Sequence, residues 1–398
     1  MKKQIVIYGA GLAGLTTAIA LSRYVSDILI LEPLDQEKYI EITEGDSRTT
    51  AISANSKNFF SNLGLWQDLS EYCGPIDDIE IIDSDYISGD SLLNLHFSKD
   101  DVLDADASET MGYIIRNDIL KIKLLKEIKK IGNIEINFNS KINQLQLERN
   151  ITIKTNQQTL KTNYLLAADG KNSQLRELAD IPSHRKDYNQ SAITFNIKHE
   201  KPHNRLAIER FMPKGPFAVL PMADKHESSI VWTVGQDQQK YYIEMDQSDF
   251  ISEVEKRLGD YLGKISLNSK ILSYPLTLVY SNKYFRNNLI LVGDAAHGIH
   301  PIAGQGFNQG IKDIEKLSEL AKNQSMLGLP IFSESCLEEY QRHRNNDNMQ
   351  MILATDFFNE LFSNDNKIIS LARRLGISRV DKTKEVKKFF INKAMGKF

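Results

Sequence analysis

The chain is poor in cysteine and has no long apolar run. Its two cysteines, Cys73 and Cys336, lie far apart in 398 residues and match no metal-binding or CxxC spacing. This excludes a disulfide framework and predicts inert thiols in a reducing compartment. A membrane-spanning helix needs about 18 consecutive apolar residues, and no segment of the sequence reaches that length.

The composition also lacks any strong bias. With 41% hydrophobic and 25% charged residues, the sequence is typical of soluble globular proteins and unlike disordered or fibrous ones. A formal net charge of −3 argues against a nucleic-acid partner. The length predicts two structural domains. Because a glycine motif begins at residue 9, we expect no signal or transit peptide and a cytoplasmic location.

The carboxyl-terminal segment is strongly basic. From Lys367 to Phe398, ten Lys and Arg stand against Asp381 and Glu385, which gives a net charge of +8. Large apolar residues are interspersed with these cations, namely Phe389, Phe390, Ile391, Met395 and Phe398. Two interpretations stay open: a basic helix packed on its own protein, or a contact with an anionic membrane surface or a protein partner.

Hydrophobic periodicity predicts an α/β protein. Residues 2–8 and 28–31 are typical of buried parallel strands, and residues 12–25 between them have helical spacing. After a predicted helix at 121–130, short strands are expected at 134–138, 142–147, 151–154 and 164–168. Residues 192–280 are mostly strand-like, with one helix near 250–262, which predicts a largely antiparallel second domain. A strand at 288–292, a helix at 308–322 and helical spacing from residue 335 complete the pattern.

The motif GAGLAG spans Gly9 to Gly14. In this pattern the first glycine permits a tight turn, the second lets the backbone approach a pyrophosphate, and the third lets the helix pack on the strand. The helix N-terminus offers unpaired N–H groups to the anion. A glycine-rich turn without a nucleotide is the alternative. The flanking strand and helix favour the nucleotide, and so does Glu32, which can bind a ribose 2′-hydroxyl and disfavours a 2′-phosphate.

Two later elements also follow predicted strands. In DGKNSQLR, Asp169-Gly170 is followed by Ser173 and Arg176, and although a DG pair alone is a common turn, its position after a buried strand favours a functional role. Segment 289–313 combines a strand end, a proline turn and a glycine-rich helix start. Its notable residues are Gly293, Asp294, Pro301, Gly304, Gln305, Gly306, Phe307 and Asn308.

Segment 289–313 has the chemistry that a flavin requires. An Asp at the strand end can accept hydrogen bonds from ribityl hydroxyls, and a helix N-terminus can stabilise negative charge on a reduced flavin ring. His297 and His300 beside Asp294 suggest a metal site. Because the sequence has no further ligand cluster, we predict no metal and assign these histidines to loop packing.

Together these motifs resemble the flavoprotein aromatic hydroxylases related to para-hydroxybenzoate hydroxylase. The matching segments are GAGLAG, DSRTTAISANS with Arg48, the DG pair, GDAAH and HPIAGQGFNQGIKD. They are joined by ERFMPKGPFAVLPM at 209–222 and by Tyr340, Arg344, Asp347, Thr355-Asp356 and Ala394-Met395-Gly396. The likeness is greatest to the ring hydroxylases of ubiquinone biosynthesis and covers essentially the whole chain.

The resemblance implies a Rossmann-like FAD-binding domain, a second, mostly antiparallel substrate domain and a helical carboxyl-terminal tail. The ranges are 1–72, 108–182 and 282–330 for the first, 73–107 and 183–281 for the second, and 331–398 for the tail. FAD is the implied cofactor, with NAD(P)H and O2 as co-substrates. The implied FAD contacts are Gly9, Ala10, Gly11, Leu12, Ala13, Gly14, Glu32, Arg48, Arg116, Asp169, Gly170, Gly293, Asp294, Pro301, Gly304, Gln305, Gly306, Phe307 and Asn308.

The resemblance also implies a reaction. NAD(P)H-reduced FAD and O2 would form a C4a-hydroperoxide that hydroxylates the ring of a polyprenylated phenol. Such a site must exclude water and hold the ring against the flavin. Candidates to line it, each also a plausible core residue, are Phe211, Phe217, Val219, Leu220 and Pro221. A prenylated substrate would suit a peripheral position at the inner membrane, or beside other ubiquinone-biosynthesis proteins, reached through the basic tail.

Three rival functions remain at this point. A halogenase or a prenyl-chain reductase of the same fold would share the FAD motifs, although Trp232 lies in VWTV and no Trp-x-Trp-x-Ile-Pro is present, which counts against the halogenase. A non-catalytic FAD-binding scaffold of a biosynthetic complex is the third. No second GxGxxG exists, so a reduced nicotinamide docks transiently in the flavin cleft or the electrons come from elsewhere.

Overall fold

The computed structural model describes residues 2–84, 91–101, 110–148, 150–212, 215–299 and 304–362. Its helices are α1 (Leu12–Leu21), α2 (Gln36–Glu44), α3 (Ala54–Asn62), α4 (Trp66–Ser70), α5 (Asn117–Ile128), α6 (Gln174–Leu178), α7 (Gln239–Ile243), α8 (Gln247–Leu258), α9 (Gln305–Met326) and α10 (Glu334–Phe362). Within these ranges no helix has the length and apolar character needed to cross a membrane. The predicted basic tail beyond residue 362 lies outside the described residues.

The strands form three sheets. They are β1 (Lys2–Tyr8), β2 (Ile28–Leu31), β3 (Thr49–Ser53), β4 (Gly74–Ile76), β5 (Asp78–Ser84), β6 (Ser91–Ser98), β7 (Gly112–Arg116), β8 (Ile134–Asn137), β9 (Ile142–Gln146), β10 (Ile151–Thr155), β11 (Thr159–Ala167), β12 (Ser183–His199), β13 (Leu206–Met212), β14 (Gly215–Pro221), β15 (Glu227–Gly235), β16 (Ile265–Leu267), β17 (Leu272–Ser281), β18 (Phe285–Arg286), β19 (Leu289–Leu291) and β20 (His297–Gly298).

The first sheet has the order β18-β19-β11-β1-β2-β8, with β10 and β9 continuing from β11. Strands β19, β11, β1, β2 and β8 are parallel. This confirms the strand, helix, strand unit expected from the first 32 residues. Several boundaries differ from the expectation: α1 ends at Leu21 rather than at residue 25, α5 begins at Asn117 rather than at 121, and α9 begins at Gln305 rather than at 308. The earlier start of α9 follows from Gly304, whose left-handed φ of +62° turns the chain into the helix.

The second sheet has the order β20-β17-β12-β15-β14-β13-β5-β6, with β16 on β12. Its pairings are antiparallel except for β13 with β5, so the predicted antiparallel domain is confirmed. One face packs against α8 through a core that includes Phe217, Trp232 and Phe250. We call this the outer face, and we call the opposite one, which carries Phe211 and Leu220, the inner face.

A small sheet, β3-β7-β4, joins the two large sheets. Ala51 and Ile114 of this sheet share a hydrophobic core with Phe211 and Leu220 of the inner face. Gly74 of β4 has no room for a side chain, because a Cβ would lie 2.2 Å from the carbonyl oxygen of Pro221. The sequence patterns did not predict this sheet. It alters the expected domain ranges, since β4 falls in 73–107 yet pairs with β7, and β20 falls in 282–330 yet pairs with β17.

A buried polar network fixes α9 and α10 against the first sheet. The Asp313 carboxylate accepts hydrogen bonds from the backbone N–H of Gly293 (2.9 Å), from His297 Nε2 (2.5 Å) and from Arg344 Nε (2.7 Å). Arg344 also donates to Asp347 and to the side-chain oxygen of Gln309. Asp313 and Arg344 are fully buried, so each charge depends on the other for compensation.

Removing the Arg344 charge should therefore destabilise the fold severely. We expect Arg344→Met to lower the free energy of unfolding by about 3–5 kcal/mol, because it leaves a buried carboxylate uncompensated. Arg342→Met is the matched control, since Arg342 is exposed on the same helix and its loss should cost about 0.5 kcal/mol or less. Urea denaturation measures both, and equal midpoints would contradict the structural role of the network.

Candidate cofactor and substrate site

The glycines of GAGLAG divide into two kinds. Gly9 has φ +104°, and a Cβ there would lie 2.6 Å from the Ala168 carbonyl oxygen, whereas a Cβ on Gly14 would lie 1.9 Å from the Gly9 oxygen. Close backbone packing therefore requires glycine at both positions. Gly11 has no atom within 4 Å of its Cβ position, and it begins α1 without a side-chain cap. The open space over an uncapped helix N-terminus is the geometry that a pyrophosphate requires.

Glu32 holds the glycine loop in place. Its carboxylate accepts from the backbone N–H of Ala10 at 2.8 Å and of Leu34 at 3.1 Å. The Tyr39 hydroxyl donates to the Ala10 carbonyl at 2.7 Å, and Lys121 Nζ lies 3.9 Å from the Tyr39 ring centroid. Sequence reasoning missed Tyr39 and Lys121, because no motif marks them. They bring a hydroxyl and an ammonium group to the predicted adenosine end of the site.

The turn at Gly293-Asp294 meets two helices. A Cβ on Gly293, which has φ +61°, would lie 3.4 Å from Ala13 Cβ of α1 and 3.9 Å from Gly310 Cα of α9. Among the described residues Asp294 has no hydrogen-bond partner, and its side chain keeps accessible surface although burial raises its pKa. That surface therefore borders a cleft inside the protein. A free carboxylate in this position fits ribityl hydroxyls.

Asn308 ties the start of α9 to the small sheet. Its side-chain oxygen accepts from the Ser53 N–H at 2.9 Å and from the Ser56 hydroxyl at 2.8 Å, and its Nδ2 donates to the Ala51 carbonyl at 2.9 Å. A Cβ on Gly304 would lie 2.7 Å from Ala51 Cβ. Among the described residues no side chain caps α9, and the positive end of this helix suits an anionic ring.

The remaining residues of the predicted set lie at the start of this helix or beyond the described part. Gln305 is buried, and Phe307 stacks on Phe60 with 6.4 Å between ring centroids. Phe307 therefore supports the helix through core packing. Pro301 and His300 fall outside the residues that the structure describes.

Arg48 and Asp169 face the same cleft from two other elements. Arg48 forms a two-point ion pair with Asp46 at 2.7 Å, and its guanidinium is also attracted by Asp294 and Tyr274. Asp169 accepts from the Leu175 N–H in the first turn of α6 at 3.1 Å, and Ser173 is the N-cap of this helix. Its other carboxylate oxygen is buried and finds no partner among the described residues, as expected of an atom that awaits a ligand donor.

Arg116 lies at the edge of the small sheet rather than free in the cleft. It ends β7, where its backbone pairs with Thr49 of β3. Its guanidinium forms an ion pair with Asp118, and about a third of the side chain, 36%, is exposed. Arg116 therefore lies beside Arg48, and its guanidinium is already paired with Asp118.

The candidate substrate residues separate onto the two faces of the second sheet. Phe217 and Val219 are 1% and 2% exposed in the core under α8. This corrects the expectation that they line a cavity, because strand alternation directs them to the outer face. Phe211 and Leu220 lie on the inner face, in the core shared with the small sheet. Pro221, at the end of β14, presents its carbonyl to Gly74.

The described residues thus fit FAD and offer no metal centre. The uncapped start of α1, the unpartnered Asp169 oxygen and the Asp294 carboxylate follow the parallel strands β1, β11 and β19, so they lie at one edge of the first sheet. The start of α9 meets the small sheet at Ala51. Over the same ranges, no group of three or more His, Cys, Asp and Glu side chains is arranged to hold a metal ion. His297 instead hydrogen-bonds Asp313.

Comparisons with known proteins agree with this fit. A family model described as "FAD binding domain" matches residues 2–352. Ubiquinone hydroxylase UbiL of Rhodospirillum rubrum is 35% identical over 98% of this chain and 89% of that protein. The mitochondrial ubiquinone biosynthesis monooxygenase COQ6 of Danio rerio is 27% identical over 94% of this chain and 85% of its own length. The crystal structure of p-nitrophenol 4-monooxygenase PnpA from Pseudomonas putida has the same fold, with a TM-score of 0.80, 16% identity, and coverage of 100% and 99%.

Gly11 and Gly14 should respond differently to a methyl group. Gly11→Ala is expected to fold with an unchanged melting temperature, because φ is −74° and the Cβ position is open. It should weaken FAD binding by roughly tenfold or more, since the methyl group occupies the space for the pyrophosphate. Gly14→Ala should fail to fold, because its Cβ meets backbone. Titration of apoprotein with FAD, followed by flavin fluorescence, measures the effect, and wild-type affinity in Gly11→Ala would contradict it.

Proposed function

This chain belongs to the FAD-binding family of aromatic-ring hydroxylases, and we propose that it hydroxylates the ring of a polyprenylphenol intermediate in ubiquinone biosynthesis. It is an FAD-dependent monooxygenase, with NAD(P)H and O2 as co-substrates. One observation carries the proposal: the small sheet contacts both the start of α9, among the FAD-binding elements, and the apolar inner face of the second sheet.

The substrate class is supported by two independent features. Two relatives that match at least 94% of the chain, UbiL of Rhodospirillum rubrum and COQ6 of Danio rerio, are named for ubiquinone hydroxylation and biosynthesis. In addition, Leu220 and Val231 keep accessible surface on central strands of the inner face. Apolar side chains with space in front of them suit an aromatic ring that carries a hydrocarbon chain.

FAD, when bound, supplies the reduction of O2 and the transfer of one oxygen atom to the ring. The protein binds the cofactor, orients the substrate ring and shields the reacting atoms from water. We assign pyrophosphate binding to the first turn of α1, ribityl binding to Asp294, and stabilisation of the charged flavin edge to the N-terminus of α9. The small sheet packs beside α9 and the inner face, where it excludes water from the reacting atoms.

Oxygen transfer can be tested directly with a short-chain 2-prenylphenol. We expect the phenol to stimulate NAD(P)H oxidation, and under 18O2 the product should contain one labelled hydroxyl on the ring. Saturation of the prenyl double bond would identify a reductase, and ring halogenation in the presence of halide a halogenase. Stoichiometric FAD without stimulated oxidation or product would favour the non-catalytic scaffold. Mass analysis of the quinone intermediates that accumulate in a deletion strain would name the ring position.

We also propose that the protein works in the cytoplasm and at the inner membrane surface, held by its basic tail or by partner proteins. The support is the +8 net charge between Lys367 and Phe398, where phenylalanines lie among the lysines. Basic and aromatic residues together favour anionic lipid headgroups.

Removing residues 386–398 should therefore weaken binding to liposomes that contain anionic lipid, while FAD content stays unchanged. Sedimentation with anionic and with purely zwitterionic vesicles measures the effect, and the zwitterionic vesicles serve as control. If the truncated protein partitions like the full chain, the tail does not hold the protein on the membrane.

A further inference from the structure

One ionisable side chain stands in the row of residues that crosses the middle of the inner face. The register of six strand pairings places these residues side by side. In order from β6 to β17 the row is Leu95, Ile81, Glu209, Ala218, Val231, Thr194 and Leu272. Glu209 is its single carboxyl group, and it lies between apolar neighbours on both adjacent strands.

No cation among the described residues pairs with the carboxyl group of Glu209. Its neighbours on the same face of β13, Ala207 and Phe211, are each 5% exposed in the core shared with the small sheet. Within the described ranges Glu209 makes no hydrogen bond or ion pair. A half-buried carboxylate in an apolar wall costs free energy, so its presence calls for a functional reason.

Glu209 lies on the face of the second sheet that is turned away from α8. On the outer face, Phe217, Val219 and Trp232 are at most 2% exposed. On the inner face of the same central strands, Leu220 and Val231 keep accessible surface. The small sheet packs on this face through Ala51. Ala51 also lies next to Gly304, the residue at which α9 starts. Glu209, between Ala207 and Phe211 on β13, therefore lies on the face that packs against the small sheet, which in turn contacts the start of α9.

We propose that Glu209 is the catalytic base that accepts the phenolic proton of the substrate during ring hydroxylation, an inference that rests on the proposed function. As the new C–O bond forms at the ring carbon, the O–O bond that remains from O2 breaks, the phenol O–H proton passes to the carboxylate, and the electron pair of the phenol oxygen enters the ring. The ring carbon then loses its hydrogen as a proton to water when aromaticity returns, and Glu209 gives its proton back to the phenol oxygen. NAD(P)H provides the two electrons that reduce the second oxygen atom to water.

The electrostatics of the inner face suit this role. Burial raises the pKa of Glu209 to about 7, in the range where a general base operates most effectively. Among the described residues, the titratable or charged groups on the elements packed against this face include Arg48, before β3, Arg116 of β7 and Tyr274 of β17. Helix α10, which contacts β14, carries Asp356, and this carboxylate is paired with Lys186. Burial is the cause of the raised pKa. Because the carboxylate form prevails above this pKa, hydroxylation should slow as the pH falls below about 7.

The first test uses the holoenzyme with a short-chain 2-prenylphenol. At pH 8, Glu209→Gln should lower kcat for ring hydroxylation by roughly 100-fold, with unchanged FAD content, and the acidic limb of the pH profile should disappear. Its melting temperature should be unchanged or higher, since an uncompensated carboxylate is removed. Glu209→Asp should recover part of the rate. Glu80→Gln, one strand away on the outer face, is the matched control and should behave like wild type.

A binding measurement gives a readout that does not depend on turnover. The phenol and its O-methyl ether are titrated into oxidised holoenzyme between pH 6 and 9. Wild type should bind the phenol roughly tenfold more tightly than the ether above pH 7, because the ionised carboxylate accepts the O–H. This preference should decline at lower pH, and Glu209→Gln should lose the pH dependence.

The two hypotheses fail in different ways. If wild type hydroxylates no phenol at any pH, the proposed function is wrong. If wild type forms product while Glu209→Gln keeps both its rate and its acidic limb, the function stands and the base lies elsewhere. A Glu209→Gln variant that also loses stability or FAD would assign the residue a structural role and overturn the inference.

Discussion

The fold depends on one buried carboxylate. Asp313 accepts hydrogen bonds from the Gly293 N–H, from His297 and from Arg344, and so joins the turn after β19 to α9 and α10. Burial would raise its pKa, but the charges and hydrogen bonds of His297 and Arg344 outweigh burial and hold the pKa below its ordinary value. The Asp313 carboxyl group therefore stays ionised in the folded protein. Since Gly293 precedes Asp294, and α9 starts at the cleft, this carboxylate sets the distance between two of the cofactor-binding elements.

The second constraint is the small sheet between the two large ones. Its backbone approaches β14 so closely that Gly74 leaves no space for a Cβ, and its Ala51 contacts both the start of α9 and the inner face. Asn196 of β12 donates to the Ser47 carbonyl, and Thr49 shares a hydrogen bond with Ser229. These contacts fix the wall that carries the substrate groups relative to the elements that hold the cofactor.

The chemistry divides between the domains for a physical reason. Anion and ring binding use backbone N–H groups at helix N-termini, which the first domain presents where its strands end. Holding an apolar ring requires a broad surface, and the inner face of an antiparallel sheet provides it. On such a surface a single carboxylate that forms no ion pair with the described residues has a strong effect, because its surroundings are apolar.

Local rules in the sequence determined the strand, helix, strand unit, the cofactor class and the antiparallel second domain, because glycine spacing and hydrophobic periodicity act over a few residues. Strands β3, β4 and β7 escaped prediction, since 3 to 5 residues each pair across long sequence separations without a local signal. Successive side chains along β13 and β14 alternate between two faces of the sheet, but this alternation does not show which face meets the candidate site. Phe217 and Val219 were therefore expected in the cavity, and Glu209 was passed over. Only the packing of the small sheet and α8 on opposite sides decided which side chains are core and which face the site.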